Sequence, residues 1–212
     1  MSRFLPHAND ALLVIDPQND FCPGGALAVT DGNAIMGRIA DLAGRFAHVV
    51  VTQDWHPAGH SSFASSHAGA LPFATVAMPY GAQTLWPDHC VQGSHGAEFH
   101  PAVAGAVARA GMILRKGADP AIDSYSAFRE NDRTTPTGLA GFLRDIGVTR
   151  CVLVGLAYDY CVGWSALDAA EHGFEAIVLK DLTRAIALPL GDGRTTADEA
   201  EARFAAAGIV LG

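Results

Sequence analysis

Half of the 212 residues are hydrophobic and the mean hydropathy is +0.19, enough for one substantial core and too apolar for a disordered chain. Twenty-two acidic residues against fourteen basic ones leave a formal charge of -8, and no basic stripe is present to meet a phosphate backbone, which argues against a nucleic-acid partner. The N-terminal "MSRFLPHAND" has no long apolar segment and the run "ALLVI" after it is cut by Asp16, so no signal peptide or membrane span is expected and the expected compartment is the cytoplasm.

In chain order, "ALLVID" reads as a strand buried on both faces and ending at Asp16. Ile35, Ile39, Leu42 and Phe46 recur at helical spacing, and "HVVVTQD" is a second strand ending at Asp54. From Trp55 to about Pro101 the chain is rich in Pro, Gly, Ser and His, an irregular segment too long to be a mere connection. It holds six of the nine histidines, which points to function. Then come the strand "GMILRKG", a helix with Leu139, Phe142, Leu143 and Ile146, the strand "RCVLVGLA", and a helix after Cys161 with Trp164, Leu167 and Ala170 on its apolar face. The strand "EAIVLKD" follows, then a helix in "TADEAEARFAAAG" with Thr196 as N-cap, Glu199 three residues on and Gly208 as its stop, then a short strand "IVL". The alternation predicts an α/β fold with a parallel sheet, and residues 1–212 are expected to form one domain with no internal repeat.

In open α/β sheets ligands bind beyond the carboxyl ends of the strands. Those ends carry Asp16, Asp54 and Lys116, and the fourth strand turns into a helix start at Cys161. Two carboxylates, an amine and a thiol are therefore expected to converge on one edge. A lone cysteine before a helix is more often a small core residue. Cys161 is raised above that reading by the unpaired N–H groups of a helix N-terminus, which favour thiolate, by the charge of Lys116, and by Asp16 as proton acceptor. Asp16 alone would be a turn cap in "DPQND", and Lys116 alone a solvated lysine; their company makes them a set. The other cysteines, Cys22, Cys90 and Cys151, show no C-x-x-C spacing, are expected to be free thiols, and receive no chemistry.

Asp54 and His56 are two residues apart, so in extended chain both side chains point the same way, as two ligands of one metal would. A third ligand is expected from His89 in "LWPDHCVQGS", where Pro87 and Gly93 mark a constrained turn. His60, His67, His95 and His100 are read as polar loop groups or as donors behind the ligands.

Taken together, "VIDPQNDF", "TQDWHP", "LWPDHCVQGS", "RKG", "DSYSAF" and "GLAYDYCV" span most of the chain. In this order they resemble the bacterial nicotinamidases, also called pyrazinamidases, of the isochorismatase-like cysteine hydrolase family. The resemblance implies a three-layer α/β/α fold with a mostly parallel central sheet and hydrolysis of nicotinamide to nicotinate and ammonia, or of pyrazinamide to pyrazinoate, through a cysteine thioester. It implies one divalent metal ion, zinc or else iron or manganese, held by Asp54, His56 and His89 in the long loop region of about 55–101. The implied triad is Asp16, Lys116 and Cys161. A histidine that completes the metal site in some members falls on Ser62 here, which would reach the metal directly or through water. The implied substrate pocket is Phe21, Trp86 and Tyr125, and the implied oxyanion donors are the backbone N–H groups of Ala157 and Cys161, with a cis peptide between Leu156 and Ala157. The alternative is another amidase of this fold, acting on a carbamoyl or ureido substrate, which would keep the triad with less reason to keep Asp54, His56 and His89. An isochorismatase would not need the nucleophile, and a non-catalytic metal-binding module would leave the thiol, amine and carboxylate unexplained.

Overall fold

The computed structural model describes residues 4–212. In chain order the elements are β1 (Asp10–Ile15), α1 (Met36–Ala43), β2 (His48–Asp54), the hairpin β3 (Thr75–Met78) and β4 (Gly81–Thr84), α2 (Ala104–Arg109) and β5 (Met112–Lys116). They continue as α3 (Leu139–Asp145), β6 (Arg150–Leu156), α4 (Cys161–Glu171), β7 (Glu175–Arg184), α5 (Thr196–Ala206) and β8 (Val210–Leu211). Six strands form one sheet in the order β5-β2-β1-β6-β7-β8, with every pairing parallel.

All six residues of β1 are buried, as an unbroken apolar run covered on both faces requires. Leu12 and Val14 pack on one side with Ile35, Met36 and Ile39; Leu13 and Ile15 pack on the other with Leu139, Val162 and Phe204. Helices α1 and α2 thus cover one face and α3, α4 and α5 the other, giving the three layers. At Gly155 in β6, φ is +110° and an added Cβ would stand 2.1 Å from the Ile15 carbonyl oxygen, so only glycine lets β6 approach β1 there. Among the described residues no helix is long and apolar enough to cross a membrane.

Three details depart from the sequence reading. The segment after Trp55 contains the β3–β4 hairpin, and the short α2 follows it. The N-cap of α5 is Thr195 rather than Thr196: Thr195 is extended, its hydroxyl accepts from the Asp198 N–H, and its own N–H donates to Asp198 Oδ2 at 2.7 Å. Thr196 instead gives its hydroxyl to Asp159. In α4 the predicted stripe Trp164, Leu167 and Ala170 is only half-buried, whereas Val162, Ser165, Ala166, Asp168 and Ala169 are buried. The helix is covered by the sheet on one side and by α5 on another, so small residues pass beneath and large ones sit at the rim. Asp168 can be buried because Arg133 grips both its oxygens at 2.6 and 3.1 Å.

Candidate active site

The parallel sheet brings the predicted strand-end residues together. Lys116, the last residue of β5, is 1% exposed, and its Nζ lies 2.9 Å from Asp16 Oδ2, 3.0 Å from Asp54 Oδ1, 2.8 Å from the Ser124 carbonyl and 3.4 Å from Cys161 Sγ. Asp16 follows β1 in a left-handed conformation, φ 43°, that turns the chain out of the sheet. Thr52 of β2 fixes it, accepting from the Asp16 N–H at 2.9 Å and donating to Oδ1 at 2.5 Å. Oδ2 pairs with the ammonium but has no aligned hydrogen-bond donor among the described residues, which leaves it able to take a proton. Cys161 is the first residue of α4 and is buried beside them.

These groups set one another's protonation. Burial opposes the charge on Lys116, but Asp16 and Asp54 outweigh it and hold the ammonium well above its ordinary pKa. Burial, reinforced by Asp54, pushes Asp16 up against the pull of Lys116 and Thr52. Burial also pushes the Cys161 thiol well up; Lys116 works against this, while Asp16 and Asp54 add to it. The sequence reading anticipated a site that favours thiolate. Of the expected influences Lys116 acts toward thiolate, while burial and the two carboxylates act toward the thiol, beside an Asp16 carboxyl whose own pKa burial raises.

A second group adjoins the first through Asp54. Asp54, His56 and His89 are all buried, and Asp54 Oδ2 lies 3.1 Å from His56 Nε2 and 3.2 Å from His89 Nε2. The far ring nitrogens face carbonyl oxygens: His56 Nδ1 donates to Gly117 at 2.9 Å and His89 Nδ1 donates to Pro87 at 2.8 Å. Each neutral ring must therefore present a bare Nε2. Two lone pairs and a carboxylate oxygen at this spacing repel unless a positive charge sits among them, and a divalent cation meets that demand. Without one the ring itself must charge: burial disfavours this, yet Asp54 outweighs burial and raises the His56 pKa. Gly117 closes the site from behind, at φ +66°, where a Cβ would stand 2.4 Å from His56 Cε1.

Ser62 is buried, and its hydroxyl lies 2.8 Å from His60 Nδ1. His60 Nε2 faces the Asp119 carbonyl at 2.8 Å and must carry the ring proton, so Ser62 is the donor to Nδ1. The His60 ring meets that of His56 at a tilt of 42°, with centroids 4.4 Å apart. Read from sequence as a polar loop group or a donor behind the ligands, it donates to the Asp119 carbonyl and accepts from Ser62, which it holds in place. His67 donates to the Ser61 carbonyl, His95 pairs with Glu98 on the surface, and His100 caps a short 3-10 helix.

Phe21, Trp86, Asp123, Tyr125, Tyr160 and Cys161 line one small cavity, and Ala157 joins them after a cis Leu156–Ala157 peptide. Trp86 meets Tyr160 edge-on at 4.8 Å, and Tyr160 meets Tyr125 at 5.4 Å. Tyr160 and Asp123 were not singled out from sequence. Tyr160 directly precedes Cys161, and Asp123 opens the quoted "DSYSAF" two residues before Tyr125, so nearness to the nucleophile and to an expected pocket residue were the available signals. A roomier groove of about 340 Å³ between the hairpin, α4 and α5 shares only Tyr125 and Tyr160 with this cavity and none of its triad or metal-facing groups.

The chain is similar to known proteins over nearly all its length. The Isochorismatase domain family matches residues 10–205. A nicotinamidase of Acinetobacter baylyi is 51% identical over 178 residues, 84% of this chain and 82% of that protein. Among solved structures, a nicotinamidase/pyrazinamidase of Acinetobacter baumanii superposes with TM-score 0.91 at 47% identity, covering 97% of this chain and 96% of that one. A pyrazinamidase of Pyrococcus horikoshii in complex with zinc superposes with TM-score 0.74 at 34% identity, covering 96% and 98%.

Proposed function

Since the chain belongs to the isochorismatase-domain family and aligns over most of its length with nicotinamidases, we propose that it hydrolyses nicotinamide to nicotinate and ammonia by way of a thioester on Cys161. The observation that carries this reading is the single ammonium of Lys116 in contact with Asp16, Cys161 and Asp54.

In the first half-reaction Asp16 takes the Cys161 proton as sulfur attacks the carboxamide carbon. Lys116 offsets the sulfur charge as it forms, and the N–H groups of Ala157 and Cys161 hold the developing oxyanion. Asp16 then returns the proton to the departing amine, the C–N bond breaks, and ammonia leaves a nicotinoyl thioester. In the second half-reaction Asp16 deprotonates a water that attacks the thioester; the C–S bond breaks, the proton goes back to sulfur, and the acid leaves as nicotinate, its own proton passing to ammonia or solvent. The raised proton affinity of Asp16 suits both transfers.

Asp54, His56 and His89 would hold one divalent metal ion, zinc first among the candidates, with Ser62 at its side directly or through water. When bound, the ion supplies a Lewis-acid hold on the pyridine nitrogen, which orients the carboxamide toward Cys161. Phe21, Trp86, Tyr125 and Tyr160 enclose the aromatic ring. Residues 1–212 act as one hydrolase domain, in a reducing compartment such as the cytoplasm where Cys161 stays a thiol. A ureido or carbamoyl amidase would leave the Asp54, His56 and His89 group without a task, which favours a pyridine substrate. Ammonia release from nicotinamide, measured beside a panel of ureido compounds, tests the choice: turnover confined to the panel overturns it.

A further inference from the structure

Of the eight residues in β3 and β4 only Gln83 is buried, and it is polar. An apolar side chain would serve to pack a hairpin, so an amide there needs a separate reason. Gln83 Nε2 donates to Asp123 Oδ2 at 2.7 Å and lies 2.7 Å from the Thr84 carbonyl and 3.0 Å from the Tyr125 hydroxyl. Its orientation is dictated from the backbone outward. The Tyr125 N–H donates to Asn131 Oδ1 at 3.0 Å, which turns Asn131 Nδ2 toward Gln83 Oε1 at 3.2 Å and leaves Gln83 Nε2 for the carboxylate. The Tyr80 hydroxyl donates to the same Oε1 at 3.2 Å. Asp123 Oδ1 accepts from the Ser124 N–H at 2.8 Å and stands 3.9 Å from His56 Nε2. One amide thus holds two walls of the catalytic cavity, the carboxylate beside His56 and the ring of Tyr125.

We propose that Gln83 is a positioning residue for the catalytic pocket: with Asn131 it sets where the Asp123 carboxylate and the Tyr125 ring stand, and through them the affinity for the cation and for the aromatic substrate. The substrate part rests on the nicotinamidase reading; the cation part does not. Gln83→Leu keeps most of the volume and removes the donors. Zinc affinity is measured by chelator competition, and KM and kcat for nicotinamide are measured with the zinc-loaded enzyme. The expected result is zinc affinity weakened roughly tenfold, the size seen when a group behind a metal ligand is lost. KM should rise roughly tenfold for one hydrogen bond to a carboxylate, with kcat little changed. Asp123→Asn added to Gln83→Leu should weaken zinc no more than the worse single change, because the link is already broken. Unchanged zinc affinity with only a lower melting temperature would overturn the proposal, as would zinc losses that multiply. Should Gln83→Leu not fold, Gln83→Glu retains the shape but sets a carboxylate against Asp123. Wild-type KM in that variant also overturns the proposal. If zinc weakens as expected but the wild-type protein does not hydrolyse nicotinamide, the positioning role stands and the substrate reading falls.

Discussion

Lys116 Nζ lies 3.4 Å from Cys161 Sγ while the same ammonium touches Asp54 Oδ1 at 3.0 Å, so one buried cation joins the nucleophile to the metal-facing group. Burial and the two carboxylates push the thiol's pKa up, and the Lys116 ammonium pulls it down. Lys116→Met should cut kcat/KM by at least about a hundredfold, and alkylation of Cys161 by iodoacetamide should require higher pH than in the wild type. An unshifted alkylation profile would show that Lys116 does not support the sulfur.

Asp16→Asn should lose activity by about a thousandfold or more, since the amide cannot carry the proton that both half-reactions move. The fold should persist, because Asn tolerates the left-handed backbone at this position as Asp does. Circular dichroism and ammonia release read the two halves of this expectation. A near-normal rate would reduce Asp16 to a turn cap.

Removing the metal, or making His56→Ala, should weaken nicotinamide binding by roughly tenfold or more while the protein stays folded. Calorimetry in the Cys161→Ala background separates affinity from turnover. Benzamide, which lacks the ring nitrogen, should bind poorly to the loaded protein. Equal affinity for the two ligands, unchanged by stripping, would take the metal out of substrate recognition.

Acid sensitivity of the fold should include the start of β1. Burial works to raise the pKa of Asp10, but Arg150, hydrogen-bonded at 2.6 and 2.8 Å, and the His7 N–H outweigh it and hold the carboxyl below its usual value. A pKa lowered by folding contributes stability that is complete above the unfolded value of about 4 and is lost as pH falls through the folded value. Urea unfolding of wild type and Asp10→Asn should therefore differ most near neutral pH and converge in acid. A gap that widens in acid contradicts the assignment.

The layered fold was legible because strands covered on both faces carry continuous apolar runs, as "LLVI" does in β1 and "VVV" in β2. The candidate site was legible for a related reason: Asp16, Asp54 and Lys116 stand at strand ends and Cys161 at the helix start beyond the fourth strand, on the edge where ligands of such sheets bind. Tyr160 and Asp123 were missed because their place depends on the paths of the turn before α4 and the loop after β5, which no periodicity encodes. In α4, Leu167 and Ala170 pack at the edge of the core, but the buried stripe also takes in Asp168, held by an arginine 35 positions away that no local pattern reveals. Thr195 and Thr196 are equally good caps in sequence, and only the reach of Asp198 decides between them.

The most direct measurement is rapid acid quenching of enzyme mixed with excess nicotinamide, followed by mass spectrometry of the peptide that contains Cys161. A covalent mechanism predicts a nicotinoyl thioester on Cys161 during turnover, and a folded but inactive Cys161→Ala protein that carries none. Turnover retained by Cys161→Ala, with no adduct in either protein, would contradict it.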